Sequence, residues 1–400
     1  MLATSTFVVV TTEMLPVGLL TSISDDVGAT RSQVGLLVTV YAFTVGLTAT
    51  PLTVWTARWP RKRLFVAVGA VFSLGSALSG LAVDYPMLAA GRFLCGIAHG
   101  VFWSIVAGYA AALAEPGRAG RATSIVFVGN SAALVLGLPL GTALGGAVGW
   151  RGAFCAVAVF GLGTLAAALW ILPDIPESHA PRSTGPVGVL RLPGLRSAVT
   201  VTALLVLGQF TVYTYVTPLL HDIGAFSETA VSVLLGLYGL AGFLGTWCAG
   251  ALVDRRPQQV LLGTIAVMAV SLVLLGAGIH LRPLSVAAVA LWGISFAALP
   301  VTLQARVLRL GVTAPDAASS CYVAAFNLGI GGGALTGGVL STSTVAVLPW
   351  AALIAVVPAL ALTWTTRAAL PRVSARSTVG DVRPGRVHGG HADGPDPPRR

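Results

Sequence analysis

Three ionisable residues lie deep inside long apolar stretches of the sequence: Glu13, Arg92 and His99. If these stretches cross a membrane, each charge costs roughly 2.5–3.5 kcal/mol to insert, so such residues should face each other or a watery cavity. Arg92 and His99 are seven residues apart and therefore lie on nearly the same face of a helix. A protonatable acid near a fixed cation predicts a proton relay. The alternatives are a buried ion pair that only fixes helix packing and, for His99, a hydrogen bond between helices.

Neutral polar side chains form a second group of candidates. Polar groups within a membrane span must find partners or line water. Six of them are candidates for a substrate cavity, although for each one a hydrogen bond between helices is an equally good interpretation. They are Tyr41, Asn130, Gln209, Tyr213, Gln304 and Asn327.

Glycines recur at every fourth position in two stretches. The first series is Gly137, Gly141, Gly145 and Gly149, with Pro139 among them, and the second is Gly329, Gly333 and Gly337. A small residue at every fourth position of a helix lets another helix approach closely. Such a stripe predicts either static packing or a surface on which two halves of the protein slide.

The elements that carry these residues are membrane-spanning helices. The chain has 400 residues, of which 55% are hydrophobic and only 10% charged, whereas soluble domains are about 25% charged. Apolar runs of about 20 residues without alternation favour helices over a barrel. Twelve such segments are expected, at residues 2–23, 33–56, 64–82, 86–111, 121–147, 152–172, 197–220, 229–252, 260–279, 283–307, 317–340 and 345–366.

The distribution of Lys and Arg predicts the orientation. Basic residues concentrate in cytoplasmic loops of membrane proteins. If the N-terminus is cytoplasmic, thirteen basic residues fall on the cytoplasmic side before the tail: Arg58, Arg61, Lys62, Arg63, Arg118, Arg121, Arg182, Arg191, Arg196, Arg255, Arg256, Arg306 and Arg309. Three fall on the other side: Arg31, Arg151 and Arg282. We therefore expect both termini in the cytoplasm.

An internal repeat predicts the domain organisation. A shift of 197 residues aligns "VTVYAFTVGLTATPLTVWTARWP" (38–60) with "LGLYGLAGFLGTWCAGALVDRRP" (235–257), and the same shift aligns Asn130 with Asn327. We expect two six-helix halves in the same orientation, at residues 1–172 and 195–366. Residues 173–194 would be a cytoplasmic linker, and residues 367–400 a disordered basic tail with too few apolar residues to fold.

Twelve spans in two parallel halves resemble the major facilitator superfamily. The segment "GALVDRRP" (250–257), with Asp254 and Arg255, matches that superfamily's G-x-x-x-D-R loop. Its counterpart "TVWTARWPRK" (53–62) keeps Arg58, Arg61 and Lys62 but has Thr53 for the glycine and Ala57 for the aspartate. The resemblance implies that these loops carry charged contacts that lock one face of the protein, and Ala57 puts the first-half lock in doubt.

Further segments are similar to the drug/proton antiporter branch, which includes bacterial arabinose, purine and chloramphenicol exporters. They include "TTEMLPVGLL", "AAGRFLCGIAHGVFW" and "FNLGIGGGALTGG". The branch signature G-P-x-x-G-G is only partly matched by "GLPLGTALGG" (137–146), which holds Gly137, Pro139, Gly141 and Gly145. The resemblance implies that the antiporter signature lies in this fifth span.

Three functions follow as competing hypotheses. The first is proton-coupled efflux of small organic molecules such as drugs, sugars or nucleosides by alternating access. The second is a proton-symport importer or a facilitator on the same fold. The third, a membrane enzyme or scaffold, would need a motif such as HExxH, GxSxG or a Walker loop, and the sequence has none of these. The expected protein is a monomer in the plasma (inner) membrane. It is driven by the proton-motive force without a cofactor, and its partners are a small-molecule substrate, protons and lipid, but no nucleic acid.

Overall fold

The apolar segments fold as helices in the computed structural model, which describes residues 1–115, 118–173, 186–341 and 343–366. No strand occurs in these ranges. The helices are α1 Leu2–Gly18, α2 Leu20–Val27, α3 Arg31–Trp55, α4 Arg61–Gly80, α5 Tyr85–Ala112, α6 Ala119–Ala132, α7 Leu138–Ile171, α8 Pro186–Val189, α9 Leu195–Tyr213, α10 Val216–Pro218, α11 Glu228–Leu252, α12 Pro257–Gly278, α13 Arg282–Leu310, α14 Pro315–Ser341 and α15 Leu348–Thr365. Two π-helical segments, Ala133–Gly137 and Leu219–Ile223, and one 3₁₀ turn, Val345–Val347, complete them.

Ten helices of the described residues are long and apolar enough to cross a membrane. The two remaining crossings that the sequence predicts are shorter or interrupted. The first is α1, with 17 residues. The second is α6, which continues through the π-helical segment into the first part of α7. The all-helical fold is thus confirmed, and the twelve expected spans fit it.

Gly149 ends the fifth expected span and starts the turn to the sixth. It lies inside α7 but has φ +78° and ψ 159°, a conformation that side-chain-bearing residues rarely adopt. Gly149 is therefore not part of a helical glycine stripe, contrary to the expectation from its spacing. After the turn, the Trp150 indole N–H donates to Asp26 at 2.9 Å, and Arg151 forms an ion pair with Asp26. These hydrogen bonds hold the pKa of Asp26, outside the spans, below its usual range.

The other glycines of the first stripe face α1. A side chain at Gly137 would collide with Thr11, one at Gly141 would approach Leu15, and one at Gly145 would collide with Leu19. The second stripe packs in the same way on α9 and the turn after it, since side chains at Gly333 and Gly337 would collide with residues between Leu207 and Tyr215. Both stripes therefore join helices that the sequence assigns to the same half. The hypothesis that they form the sliding surface between the halves is wrong for this conformation. The side chain of Pro139, also predicted in the first stripe, lies outside the described side chains.

The two expected halves meet in one compact unit. Helix α3 packs on α14 near Gly46 and Leu328, and α6 packs on α11 through a 3.0 Å hydrogen bond between the hydroxyls of Ser131 and Thr246. Part of the expected linker is ordered, because α8 buries Val189. The rest of the linker, residues 174–185, and the expected tail, residues 367–400, lie outside the described residues.

Candidate substrate cavity and coupling site

A cavity of about 120 Å³ lies where the two halves meet. Its wall comes from α1, α5 and α6 on one side and from α9, α13 and α14 on the other. Most of it is apolar and aromatic, as is typical of small-molecule sites. The aromatic residues of the wall are Trp103, Phe127, Phe210, Phe296, Tyr322 and Phe326.

Four polar side chains interrupt this wall: Glu13, His99, Asn130 and Asn327. Glu13 is the only acid among the described residues of the lining. The two asparagines come from corresponding positions of the internal repeat, and they line the cavity from opposite halves. The Asn327 amide donates to the Val323 carbonyl at 3.0 Å, so its oxygen remains able to accept a hydrogen bond. The cavity can therefore hold an apolar or aromatic molecule and offer it a few oriented polar contacts.

Glu13, His99 and Tyr41 form a connected series. The Glu13 carboxylate Oε2 lies 4.0 Å from His99 Nε2. The other ring nitrogen of His99, Nδ1, is 2.8 Å from the Tyr41 hydroxyl. Glu13 and His99 touch the cavity, whereas Tyr41 is buried behind them. At 4.0 Å the carboxylate and the imidazole are not hydrogen-bonded, so proton transfer between them would need a bridging water or a shorter contact. The Tyr41 hydrogen bond fixes the orientation of the ring.

Arg92 contacts the main chain of α1 instead of the Glu13 carboxylate. Its guanidinium donates to the carbonyl oxygens of Thr12 at 2.9 Å and Glu13 at 3.2 Å, and it lies 4.4 Å from the centre of the Tyr41 ring. The direct acid–cation pair that the sequence suggested is therefore absent from these described residues. The Thr12 carbonyl can accept from Arg92 because Pro16, four residues later in α1, has no N–H group to donate to it. Arg92 positions α1 and supplies positive charge behind the cavity wall.

Four of the predicted cavity residues do not line the main cavity. Tyr41 is covered by Arg92 and His99. Gln209 is fully buried between Tyr238 and Trp292, and Gln304 is buried against the Ser319 hydroxyl. Both ends of the Gln209 amide and the Gln304 nitrogen are used in contacts between helices, which is the alternative interpretation that the sequence left open. Tyr213 lines a separate, smaller cavity.

Among the described residues one ion pair joins the two halves, and it lies at one end of the bundle. We call it the base-rich end; it contains the helix ends at Trp55–Arg61, Ala112–Ala119, Leu252–Pro257 and Leu310–Pro315. Here Arg61, at the start of α4, forms an ion pair with Asp316, in the first turn of α14. Both side chains are about nine-tenths buried.

A second contact at this end involves Asp254. Its carboxylate accepts from the backbone N–H groups of Gly120 at 2.9 Å and Arg121 at 3.0 Å, at the start of α6. The N-terminus of a helix attracts negative charge, so this contact is favourable. Arg309 of the same half also reaches Asp254, at 3.4 Å. Together, the two contacts hold the halves together at the base-rich end.

Three predicted gating residues take no part in these contacts. Arg58 and Arg255 are exposed, Lys62 is half-buried, and none of them forms an ion pair with a described residue. Conversely, the sequence did not identify Asp316 or Arg309 as gating residues. Asp316 follows Pro315 directly, and an acid after proline at a helix start was the signal available for it.

The comparisons with known proteins agree with this architecture. The model of the Major Facilitator Superfamily matches residues 2–311. A solved structure, the crystal structure of the human organic anion transporter MFSD10 (TETRAN), matches with a TM-score of 0.74 and 17% sequence identity. The match covers 90% of this chain and 97% of that one. At this identity the likeness shows a common fold, and the family match extends over most of the chain. The chain belongs to the major facilitator superfamily.

Proposed function

We propose that the chain exports small organic molecules across the plasma membrane in exchange for protons, by alternating access. The superfamily consists of transporters that need no bound cofactor, so the chain is a transporter and not an enzyme. The observation that carries the proposal is the position of Glu13, the one acid that the described residues contribute to the cavity between the halves. An ionisable residue at this depth of a membrane protein is a functional candidate by default.

The geometry supports exchange at a shared site. Substrate and proton would compete for the same few groups, because Glu13 and His99 lie in the cavity wall and the rest of the wall is nearly free of charge. Hydration changes which charge state a carboxyl group favours. As the halves rock and the cavity meets water on alternate sides, Glu13 would release its proton on one side and take one up on the other. Arg92 would act through the α1 backbone that carries Glu13.

The base-rich end is the cytoplasmic end under this proposal. The excess of basic residues in its loops favours that orientation. The described conformation, with one ion pair and the Asp254 hydrogen bonds across this end, would then be closed toward the cytoplasm. A reporter that is active only outside the cytoplasm should stay inactive when it is fused after Ala375. The same reporter should be active when it is inserted at Val83, in the loop that joins α4 to α5. Activity at Ala375 would reverse the orientation.

Proton-driven transport is the direct test of the function. A panel of drugs, sugars and nucleosides is first screened for lower accumulation in cells that carry the gene. For a compound that passes, purified protein in liposomes should concentrate it when a pH gradient is imposed, and adding the compound should move protons. If transport is equally fast with and without the pH gradient and stops when the compound has the same concentration on both sides, the protein is a facilitator. Accumulation in the direction of proton flow would identify a symporter.

A further inference from the structure

A second cavity, of about 50 Å³, lies beside the main one. The two share Phe296 and Ala297 as a common wall. Residues of α9, α11 and α13 form most of this side pocket, and Ser131 of α6 closes it from the first half. The side pocket is therefore adjacent to the main cavity, and these two side chains separate the two spaces.

Backbone forms much of the side pocket's surface. Gly239 and Gly242 of α11 and Gly293 of α13 line it. The two helices approach closely here, since a side-chain carbon at Gly293 would collide with the Tyr238 carbonyl, and one at Gly242 would lie 3.1 Å from the Ala297 side chain. A surface without side chains is flat. It favours a flat group over a thick one, because close packing is lost where shapes do not match.

The aromatic wall of the side pocket is held in a fixed orientation. Gln209 donates through Nε2 to the Tyr238 hydroxyl at 2.9 Å and accepts at Oε1 from the Trp292 indole N–H at 2.6 Å. Gln209 is fully buried. A buried amide is costly unless it is hydrogen-bonded, and here both ends of the amide are used to fix two rings. The Tyr213 ring lies 5.4 Å from that of Tyr238, between ring centres.

One polar group of the side pocket has no partner. The Tyr213 hydroxyl makes no hydrogen bond to any residue that the structure describes, although its ring is packed among Phe210, Tyr238 and Trp292. A hydroxyl group in such surroundings is normally hydrogen-bonded. It is therefore available to a polar substituent of a bound molecule.

We propose that the side pocket binds a planar aromatic ring with a hydrogen-bonding substituent, as one end of the molecule that occupies the main cavity. As a statement about transport this rests on the proposed function, but as a statement about binding it stands alone. The bound ring would contact the ring faces of Tyr238 and Phe296 and the glycine surface. Its substituent would form a hydrogen bond with the Tyr213 hydroxyl. The rest of the molecule would lie in the main cavity.

Binding of three small amines to the purified protein in detergent tests this proposal. Saturation-transfer NMR suits the weak binding expected of 2-phenylethylamine, 2-cyclohexylethylamine and tyramine. The cyclohexyl compound is the more hydrophobic, so partition into detergent cannot produce a preference for the phenyl compound. We expect the phenyl compound to bind more tightly than the cyclohexyl compound, and tyramine more tightly than both.

Substitutions then locate the binding. Gly242→Ala should weaken phenylethylamine binding at least tenfold, since one misplaced methyl group in a small pocket changes affinity by about 10-fold to 200-fold. Gly236→Ala on the same helix is the matched control, because a side-chain carbon there meets no atom within 4 Å. Tyr213→Phe should remove the advantage of tyramine over phenylethylamine and leave phenylethylamine binding unchanged. This variant also serves if Gly242→Ala does not fold.

Equal binding of the phenyl and cyclohexyl compounds, or equal binding by the Gly242→Ala and Gly236→Ala proteins, would overturn the proposal. The proposed function is tested by a separate outcome. If ring preference and its loss in Gly242→Ala are observed but no compound is moved by a pH gradient, then the ring site exists and proton-coupled transport is wrong.

Discussion

Glu13→Gln protein should fold and insert normally but lose the ability to concentrate substrate. In proteoliposomes with a driving force equivalent to 100 mV, one proton supplies about 2.3 kcal/mol. That energy sustains roughly a fifty-fold concentration ratio of a neutral substrate. We expect the wild type to approach this ratio and Glu13→Gln to reach a ratio of about one. Downhill movement of substrate should continue, because glutamine keeps the size and hydrogen-bonding groups of the protonated acid.

The reason lies in the position of the Glu13 side chain. It is the acid of the cavity lining, and its carboxylate is 4.0 Å from His99. Glutamine cannot bind or release a proton, so the substrate and the proton no longer exclude each other. Glu13→Asp retains a carboxyl group but withdraws it from His99, and it should keep part of the activity with a shifted pH optimum. Substrate-induced proton release should be absent in Glu13→Gln and present in Glu13→Asp.

Glu115→Gln is the control for a lost negative charge, because Glu115 is an exposed acid paired only with Arg118 in the described structure. It should transport like the wild type. If Glu13→Gln protein still accumulates substrate against its gradient, another group carries the proton. His99, which contacts both Glu13 and Tyr41, would be the next residue to substitute.

The sequence predicted the elements of the fold well because hydrophobicity alone determines them. A membrane span needs about 20 apolar residues, and a chain with so few charges leaves little ambiguity about where the spans lie. Rare charges inside the spans also identified Glu13 and His99, which the structure brings to the cavity. The π-helical interruption between α6 and α7 could not be predicted, because such a segment leaves the apolar pattern unchanged.

The partners of the polar residues could not be predicted from the sequence. Arg92 bonds to backbone carbonyls, which every residue has, so no side-chain pattern indicates them. Gln209 and Asn327 are both amides inside spans, yet one is used between helices and the other lines the cavity. Their difference depends on the rotation of each helix. The partner of Arg61 is 255 residues away in the chain, and only the fold brings the two together.

That ion pair changes the interpretation of the first-half loop. The resemblance to the superfamily implies a lock that uses a loop aspartate, and Ala57 occupies that position here. In the structure the acid is instead Asp316, in the first turn of α14, and the loop end contributes the cation, Arg61. An ion pair thus joins the halves at this loop, with the cation on the first half and the acid on the second. Asp254 makes the second contact on the other side of the same end.

Arg61→Asp and Asp316→Arg should each open the base-rich end and abolish most transport, while the double variant should restore both. Each single variant places two like charges in a site that is nine-tenths buried, and breaking such a pair costs roughly 3–5 kcal/mol. A loss of this size changes the ratio of closed to open protein by about 10²-fold or more. Because the Asp254 contact remains, we expect at least a tenfold effect in each single variant.

Cys321 provides the measurement. It is a buried free thiol on α14, five residues after Asp316, and therefore near the lock. In protein whose other cysteines are replaced by serine, the rate of maleimide labelling at Cys321 should rise at least tenfold in each single variant and return to within about threefold of wild type in the double variant. Arg63→Asp, at an exposed base two residues from Arg61, should leave the rate unchanged. If the double variant labels as fast as the single variants, the attraction between opposite charges is not what closes this end. In that case Arg61 and Asp316 contribute through shape and packing, and the Asp254 contact alone would remain as the electrostatic lock between the halves.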